Sequence, residues 1–259
     1  MIIKHPKQLS NPPKRIISLV PSISALLHYL GLEKEMIGIT KFCTIPESLL
    51  QNKTTIGGTK NIQLQKIKEL QPDLIICNKE ENIKEQIIEL SAIFPVWVTD
   101  VNNLEDNYTM ITDIGNLTGK VIESKQLVTD IKLSFGKYSL KKNQKKNAAY
   151  LIWRDPYMTV GGDTFISDMM MKAGFKNVFS EQRRYPTITV EDIIQRECNV
   201  VLLSSEPYPF KEKHINELKK YLPNIEIHLV NGIFFSWYGS ELLNSAEYFK
   251  ELNNIVSVK

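Results

Sequence analysis

Short apolar runs and longer amphipathic stretches alternate along the whole chain. The runs at 15–20 (RIISLV), 36–40, 73–78 (DLIICN) and 96–99 are continuous rather than alternating in polarity. That is the pattern of strands buried on both faces of a parallel sheet. Each is followed by a stretch with apolar positions three and four residues apart. The first such helix carries Ala25, Leu26, Leu27, Tyr29 and Leu30, opens after Pro21 with Ser22 as its cap, and closes at Gly31. Others are expected at 63–70 and ending at Ile93. The rhythm returns later, with strands at 148–153, 200–204 and 225–230 and helices at 164–173, 190–197, 210–222 and 240–253. Strands separated by helices predict βαβ units and an α/β fold.

The two halves correspond residue by residue. KIKELQPDLIICNKE at 66–80 lies over DIIQRECNVVLLSSE at 192–206, pairing Ile67 with Ile193, Asp73 with Asn199 and Glu80 with Glu206. Between the halves, 120–137 reads as one long helix, with Val121, Val128, Ile131 and Phe135 sharing a face and no proline interrupting it. At about 1.5 Å per residue it would span roughly 27 Å. Gly119 separates it from a helix at 104–118, and a basic connector follows at 140–147. The expected organisation is an N-terminal α/β lobe at 1–118, a connecting helix at 119–139 and a C-terminal α/β lobe at 140–259. Both lobes are expected to be Rossmann-like with mostly parallel sheets, and the function to lie in the cleft between them.

Composition narrows the classes. A chain of 259 residues, 42% hydrophobic and 24% charged, suits two lobes and a connector. With 32 basic against 29 acidic residues the formal charge of +3 points to no nucleic-acid partner. The one basic cluster, Lys141, Lys142, Lys145 and Lys146, reads as a solvated linker. Cys43, Cys77 and Cys198 form no CxxC and no Cys/His metal spacing, which argues against a disulfide framework and a structural zinc site. Cys77 and Cys198 fall in or beside buried strands, whereas Cys43 lies in a long loop at 41–61 together with Phe42 and the Gly57-Gly58 pair. The first fifteen residues carry no apolar signal region and no lipid-attachment cysteine, and no run approaches ~18 apolar residues. As written, the chain is expected to be neither exported nor membrane-spanning.

Ligands of open parallel sheets bind beyond the carboxyl ends of the strands, so the residues there are the candidates. They are Pro21, Ser22, Phe42, Cys43, Gly58, Asn78, Arg154, Tyr157, Tyr185, Glu206, Phe234, Phe235, Ser236 and Trp237. Aromatics recur among them, and part of the 234–238 segment is expected to face a large flat ligand. Glu80, Glu81 and Glu206 could form an acid pair or stand as solvated rim carboxylates. Arg154, Arg183 and Arg184 could hold an anion by forked hydrogen bonds or be surface charges. Cys43 could touch the ligand or coordinate its metal as a thiolate. His5, His28, His214 and His228 are scattered, so no metal site built from protein side chains is expected. There is neither a G-x-S-x-G elbow nor a P-loop, and no catalytic residue is assigned.

Several stretches together resemble the helical-backbone class of substrate-binding proteins that serve ABC importers for vitamin B12, ferric siderophores and haem. They are RIISLVPSISALLHYLG, IGITKFCTIPE, IGGTKNIQLQKIKELQPDLIICN, VWVTD followed by helix, and SWYGSELL. The resemblance implies a monomeric, non-enzymatic binding protein with no intrinsic cofactor, whose ligand is a metal chelate such as cobalamin, a ferric siderophore or haem. It implies ligand contacts at Phe42 and at 234–237, with Asn78 where the cobalamin binders carry a tryptophan. It also implies docking on an importer permease at the positions of Gln65 and Glu191, and a periplasmic or cell-envelope location. The alternative left open is a cytoplasmic enzyme, handling protein or sensor for such a chelate that docks on no transporter.

Overall fold

The computed structural model of the protein describes residues 1–137 and 146–256. Two compact units are present: Met1–Val101 with Glu105–Ile131 and Tyr238–Glu241, and Asn102–Leu104 with Lys132–Trp237 and Leu242–Lys259. Two short segments thus belong to the unit that the simple N-to-C division would not give them.

In the first unit the chain runs β1 (Ile2–Ile3), β2 (Ile16–Ser18), α1 (Pro21–Tyr29), β3 (Met36–Ile39), α2 (Ser48–Asn52), β4 (Thr54–Thr55), α3 (Leu64–Leu70), β5 (Leu74–Asn78), α4 (Lys84–Ser91) and β6 (Val96–Thr99). Helices α5 (Leu104–Thr118) and α6 (Val121–Lys137) follow. The six strands form one sheet in the order β1-β6-β5-β2-β3-β4, every pair parallel. From β2 the chain steps outward through β3 to β4, then returns to the other side of β2 as β5 and continues to β6. The carboxyl ends of β2 and β5 therefore flank a switch point, where a parallel sheet leaves a crevice. Ile17, Ile67, Ile75, Cys77, Leu90 and Val96 form one buried cluster, which is why these strands read as unbroken apolar runs.

The second unit holds β7 (Lys146–Leu151), α7 (Phe165–Lys172), β8 (Phe175–Asn177), α8 (Val190–Gln195), β9 (Val200–Ser204), α9 (Glu212–Lys219), β10 (Glu226–Val230), α10 (Ile233–Ser236) and α11 (Leu242–Ile255). Its sheet has the order β10-β9-β7-β8, again all parallel, with its switch point at β7 and β9. The α/β class with parallel sheets is the one expected. The expected connector at 140–147 falls mostly outside the described residues, but Lys146 and Asn147 open β7, and Lys146 Nζ donates to the Val256 carbonyl at 2.6 Å.

The internal repeat is visible at single positions. The starts of α3 and α8, and both ends of β5 and β9, keep one common offset along the chain. At that same offset Gln71 and Glu197 end their helices in the left-handed region, with φ of 46° and 50°. Such a turn redirects the chain from helix into strand and usually takes glycine.

Helix α6 spans the expected residues, but its most buried line is rotated from the expected one and shares only Ile131 with it. Ser124, Leu127 and Ile131 point inward, Val121, Val128 and Phe135 are half-buried, and Ile122 is 82% exposed. Gly115 in α5 lies against this line: a Cβ there would sit 2.0 Å from Ser124 Oγ. The two helices approach closely at this pair of small residues.

Candidate functional site

On the first unit the candidates separate into a buried foundation and one exposed ring. Pro21 and Ser22 are buried in the first turn of α1; Val20, not Ser22, is the N-cap residue, and Pro21 supplies the preset φ of the first helical position. Asn78 was a ligand candidate but is only 3% exposed. Its Oδ1 accepts from the Glu80 and Glu81 backbone N–H groups at 2.8 and 3.2 Å, and its amide donates to Thr99. Asn78 therefore shapes the turn after β5. Asn82, which the sequence did not single out, closes the crevice: its Oδ1 accepts from Asn78 N–H, while its Nδ2 donates to the Leu19 and Thr59 carbonyls.

Phe42, just past β3, is 49% exposed. Gly58 backs it, since a Cβ there would lie 3.0 Å from Phe42 Cε2, and Lys41 Nζ stands 5.1 Å from the ring centroid. The neighbouring Cys43 is wholly buried, which corrects the expectation that it touches ligand or metal. Its Sγ donates to Ser24 Oγ at 3.1 Å and lies 3.4 Å from Thr40 Oγ1. Burial raises its pKa, only partly opposed by those two hydroxyls, so the thiol holds its proton.

On the second unit the turn after β9 mirrors the turn after β5. Ser204 stands where Asn78 does, and its Oγ accepts from Glu206 N–H at 3.3 Å and from the buried Tyr150 hydroxyl at 3.0 Å. This presents the Glu206 carboxylate, whose Oε1 accepts from Ser236 Oγ at 2.6 Å and Trp237 Nε1 at 2.9 Å. Burial raises the Glu206 pKa, with the two donors opposing. Gly232 makes the approach possible, because a Cβ there would meet Glu206 Cγ at 2.6 Å.

The aromatic segment divides its side chains. Phe235 is buried against Tyr150 and Phe249 at 5.1 and 4.8 Å, a correction to its place among the ligand contacts. Phe234 is half-buried and stacked on Tyr248 at 4.5 Å. Trp237, 8% exposed, is fixed by Glu206. Tyr238 is buried in the first unit, where burial pushes its phenol well above the ordinary value.

Arg154 is held by its own chain: Nη1 donates to Asp155 Oδ2 at 2.8 Å and Nη2 to Glu217 Oε1 on α9 at 2.7 Å. Glu217 is correspondingly pulled below the usual glutamate value. Arg184 donates its backbone N–H to Asp163 Oδ1 at 2.6 Å. These two arginines already have carboxylate partners, which favours the surface-charge reading of them over the anion clamp. Tyr157 is half-buried against the core, and Tyr185, also half-buried, lies 5.8 Å from the Arg184 guanidinium.

Trp153, a strand-end aromatic that core packing could have explained, is instead 41% exposed, with Tyr208 edge-on at 5.7 Å. Tyr208 OH in turn lies 3.3 Å from His214 Nε2, and the Lys211 N–H donates to His214 Nδ1 at 2.8 Å. Burial, then the Lys213 and Arg154 charges, lower the His214 pKa and keep the ring neutral at physiological pH. The available signal was the run Tyr208-Pro209-Phe210 standing just before a helix.

Gln65 and Glu191 are exposed at the second positions of α3 and α8, equivalent places in the repeat. Among the described residues no group of three or more His, Cys, Asp or Glu could hold a metal ion, and no helix is long and apolar enough to cross a membrane.

Two parallel sheets with switch-point crevices, on a chain that repeats itself, define a two-unit binding-protein fold. Residues 16–221 match the periplasmic binding protein family, and the chain belongs to that family, as its sequence resemblance led us to expect. An uncharacterised ABC transporter substrate-binding lipoprotein of Bacillus subtilis (strain 168) is 26% identical over 199 residues, 72% of this chain and 62% of that protein. The vitamin B12-binding protein of Vibrio campbellii (strain ATCC BAA-1116) is 24% identical over 199 residues, 75% of this chain and 72% of that one. The crystal structure of a possible iron-binding, periplasmic solute-binding protein from Staphylococcus epidermidis ATCC 12228 matches with a TM-score of 0.79 at 23% identity, covering 96% of this chain and 100% of that chain.

Proposed function

We propose that this chain is the substrate-binding component of an ABC-type importer and that it captures a bulky metal chelate, a corrinoid, a ferric siderophore or haem, on residues at the carboxyl ends of its strands. The observation that carries the reading is Phe42, a phenyl ring half in solvent at a strand end and seated on a glycine. An exposed ring held in place offers a flat ligand apolar area at little entropic cost. Trp153 offers a second such surface, and the names of the relatives support both the importer and the chelate. Gln65 and Glu191, exposed at equivalent positions, would meet the permease, and the work would be done in the cell envelope. An absorbance titration of the purified protein with cyanocobalamin, cobinamide, haem and ferric siderophores tests the reading. We expect one of them to give a saturable change at one equivalent, weakened about tenfold or more in Phe42→Ala, as loss of an aromatic contact predicts. No saturable change with any of them would sink the proposal.

A further inference from the structure

Resting on the chelate-binding reading, we infer that the ligand carries no net negative charge: the strand-end surfaces are built for an uncharged or cationic chelate. The argument is the pairing of their charges. An anionic chelate needs cations with unused donors, normally arginines that can offer both guanidinium edges. On the second unit Arg154 gives one terminal nitrogen to Asp155 and the other to Glu217, so its charge is offset before any ligand arrives. Arg184 is tied to Asp163 through its backbone N–H and lies 3.9 Å from that carboxylate through its guanidinium. With Asp155, Glu217 and Asp163 counted against those two arginines, the exposed Arg183 is balanced in number by one further carboxylate, Glu206.

The group best fixed at the switch point of that sheet is itself a carboxylate, Glu206, positioned by Ser204, Ser236 and Trp237. On the first unit Lys79 pairs with Asp100 at 2.6 Å, and Lys60 donates to the Glu80 carbonyl at 2.5 Å. Lys41 lies over the Phe42 ring, and the Glu81 carboxylate is near enough to act on the Cys43 thiol. Neither surface presents a surplus of positive charge. What remains for recognition on each is aromatic area, Phe42 on the first unit and Trp153 on the second. That combination suits a chelate whose metal charge is already balanced by its own ligands.

The experiment is a charge series on the intact protein at fixed low ionic strength. The probes are cyanocobalamin (uncharged overall), ferrioxamine B (cationic), haem (with two propionates) and ferric enterobactin (a trianion). One charge about 10 Å from another at an effective dielectric constant of ~20 changes an equilibrium roughly tenfold. We therefore expect the best uncharged or cationic probe to bind at least about tenfold more tightly than either anion. The preference should shrink as added salt screens the surface carboxylates. Equal or tighter binding of haem or ferric enterobactin would overturn the charge inference and leave the chelate-binding function standing. Binding of none of the four would overturn both.

Discussion

Glu206→Ala removes the acceptor that holds Ser236 and Trp237. The two bonds differ in what their loss leaves behind. Ser236 Oγ also lies 2.9 Å from the Gly232 carbonyl and would turn to it. Among the described residues Trp237 Nε1 has no second acceptor, and it belongs to a side chain only 8% exposed. Stranding one buried donor costs about 1–3 kcal/mol, so the second unit should be destabilised by about 2 kcal/mol. Glu206→Gln keeps an oxygen in place and should cost about 1 kcal/mol or less. Urea unfolding followed by circular dichroism measures both, and a double-mutant cycle with Trp237→Phe isolates the pair.

Acidity gives this prediction a second handle. Burial raises the folded-state pKa of Glu206 above the ordinary 4.5, so its contribution to stability is fully present below that value and is lost as pH rises through the raised one. Glu206→Gln cannot lose a proton, and should gain on the wild type as pH rises through that window. A Glu206→Ala protein within about 0.5 kcal/mol of the wild type, with no coupling to Trp237, would refute the reasoning.

Other residues give independent tests. All three cysteines are buried, and burial raises each pKa, Cys77 to about 12 and Cys198 to about 11. A thiol reagent at neutral pH should therefore label none of them until denaturant is added, and rapid labelling of Cys43 in the native protein would contradict its placement. Ile131→Ala should cost about 2–4 kcal/mol as a core truncation, whereas Ile122→Ala, on the exposed side of the same helix, should stay within about 0.5 kcal/mol; chemical denaturation compares them. Glu197→Gly should stabilise by about 0.5–1 kcal/mol, because glycine takes the left-handed conformation without strain, and a loss of stability would show that the side chain matters there.

The strands at 96–99 and 200–204 were legible to the residue because continuous apolar runs with polar neighbours leave no choice of period. The short pieces were not. β1, β4 and β8 are two or three residues long, and α2 lies inside what reads as the loop at 41–61; stretches of that length show no periodicity. At the site, Phe42, expected as a ligand contact, stands half exposed, but its neighbour Cys43 turns inward. Nothing in a loop sequence says which of two adjacent side chains faces the core. The same limit separates Phe234 from Phe235. The partner of Arg154 lies 63 positions away on another helix, beyond any local pattern. The repeat was the most informative signal, since it set Asn78 and Ser204 in equivalent turns before either turn was seen.

The central claim is that this protein holds a chelate and returns it unchanged. The direct measurement is to incubate the protein with the chelate that saturates it, isolate the complex by gel filtration, and identify the released ligand by mass spectrometry. The account predicts about one equivalent of intact chelate after prolonged incubation. Recovery of an altered chelate, accumulating with time and lost in Glu206→Gln, would contradict it and make the protein an enzyme.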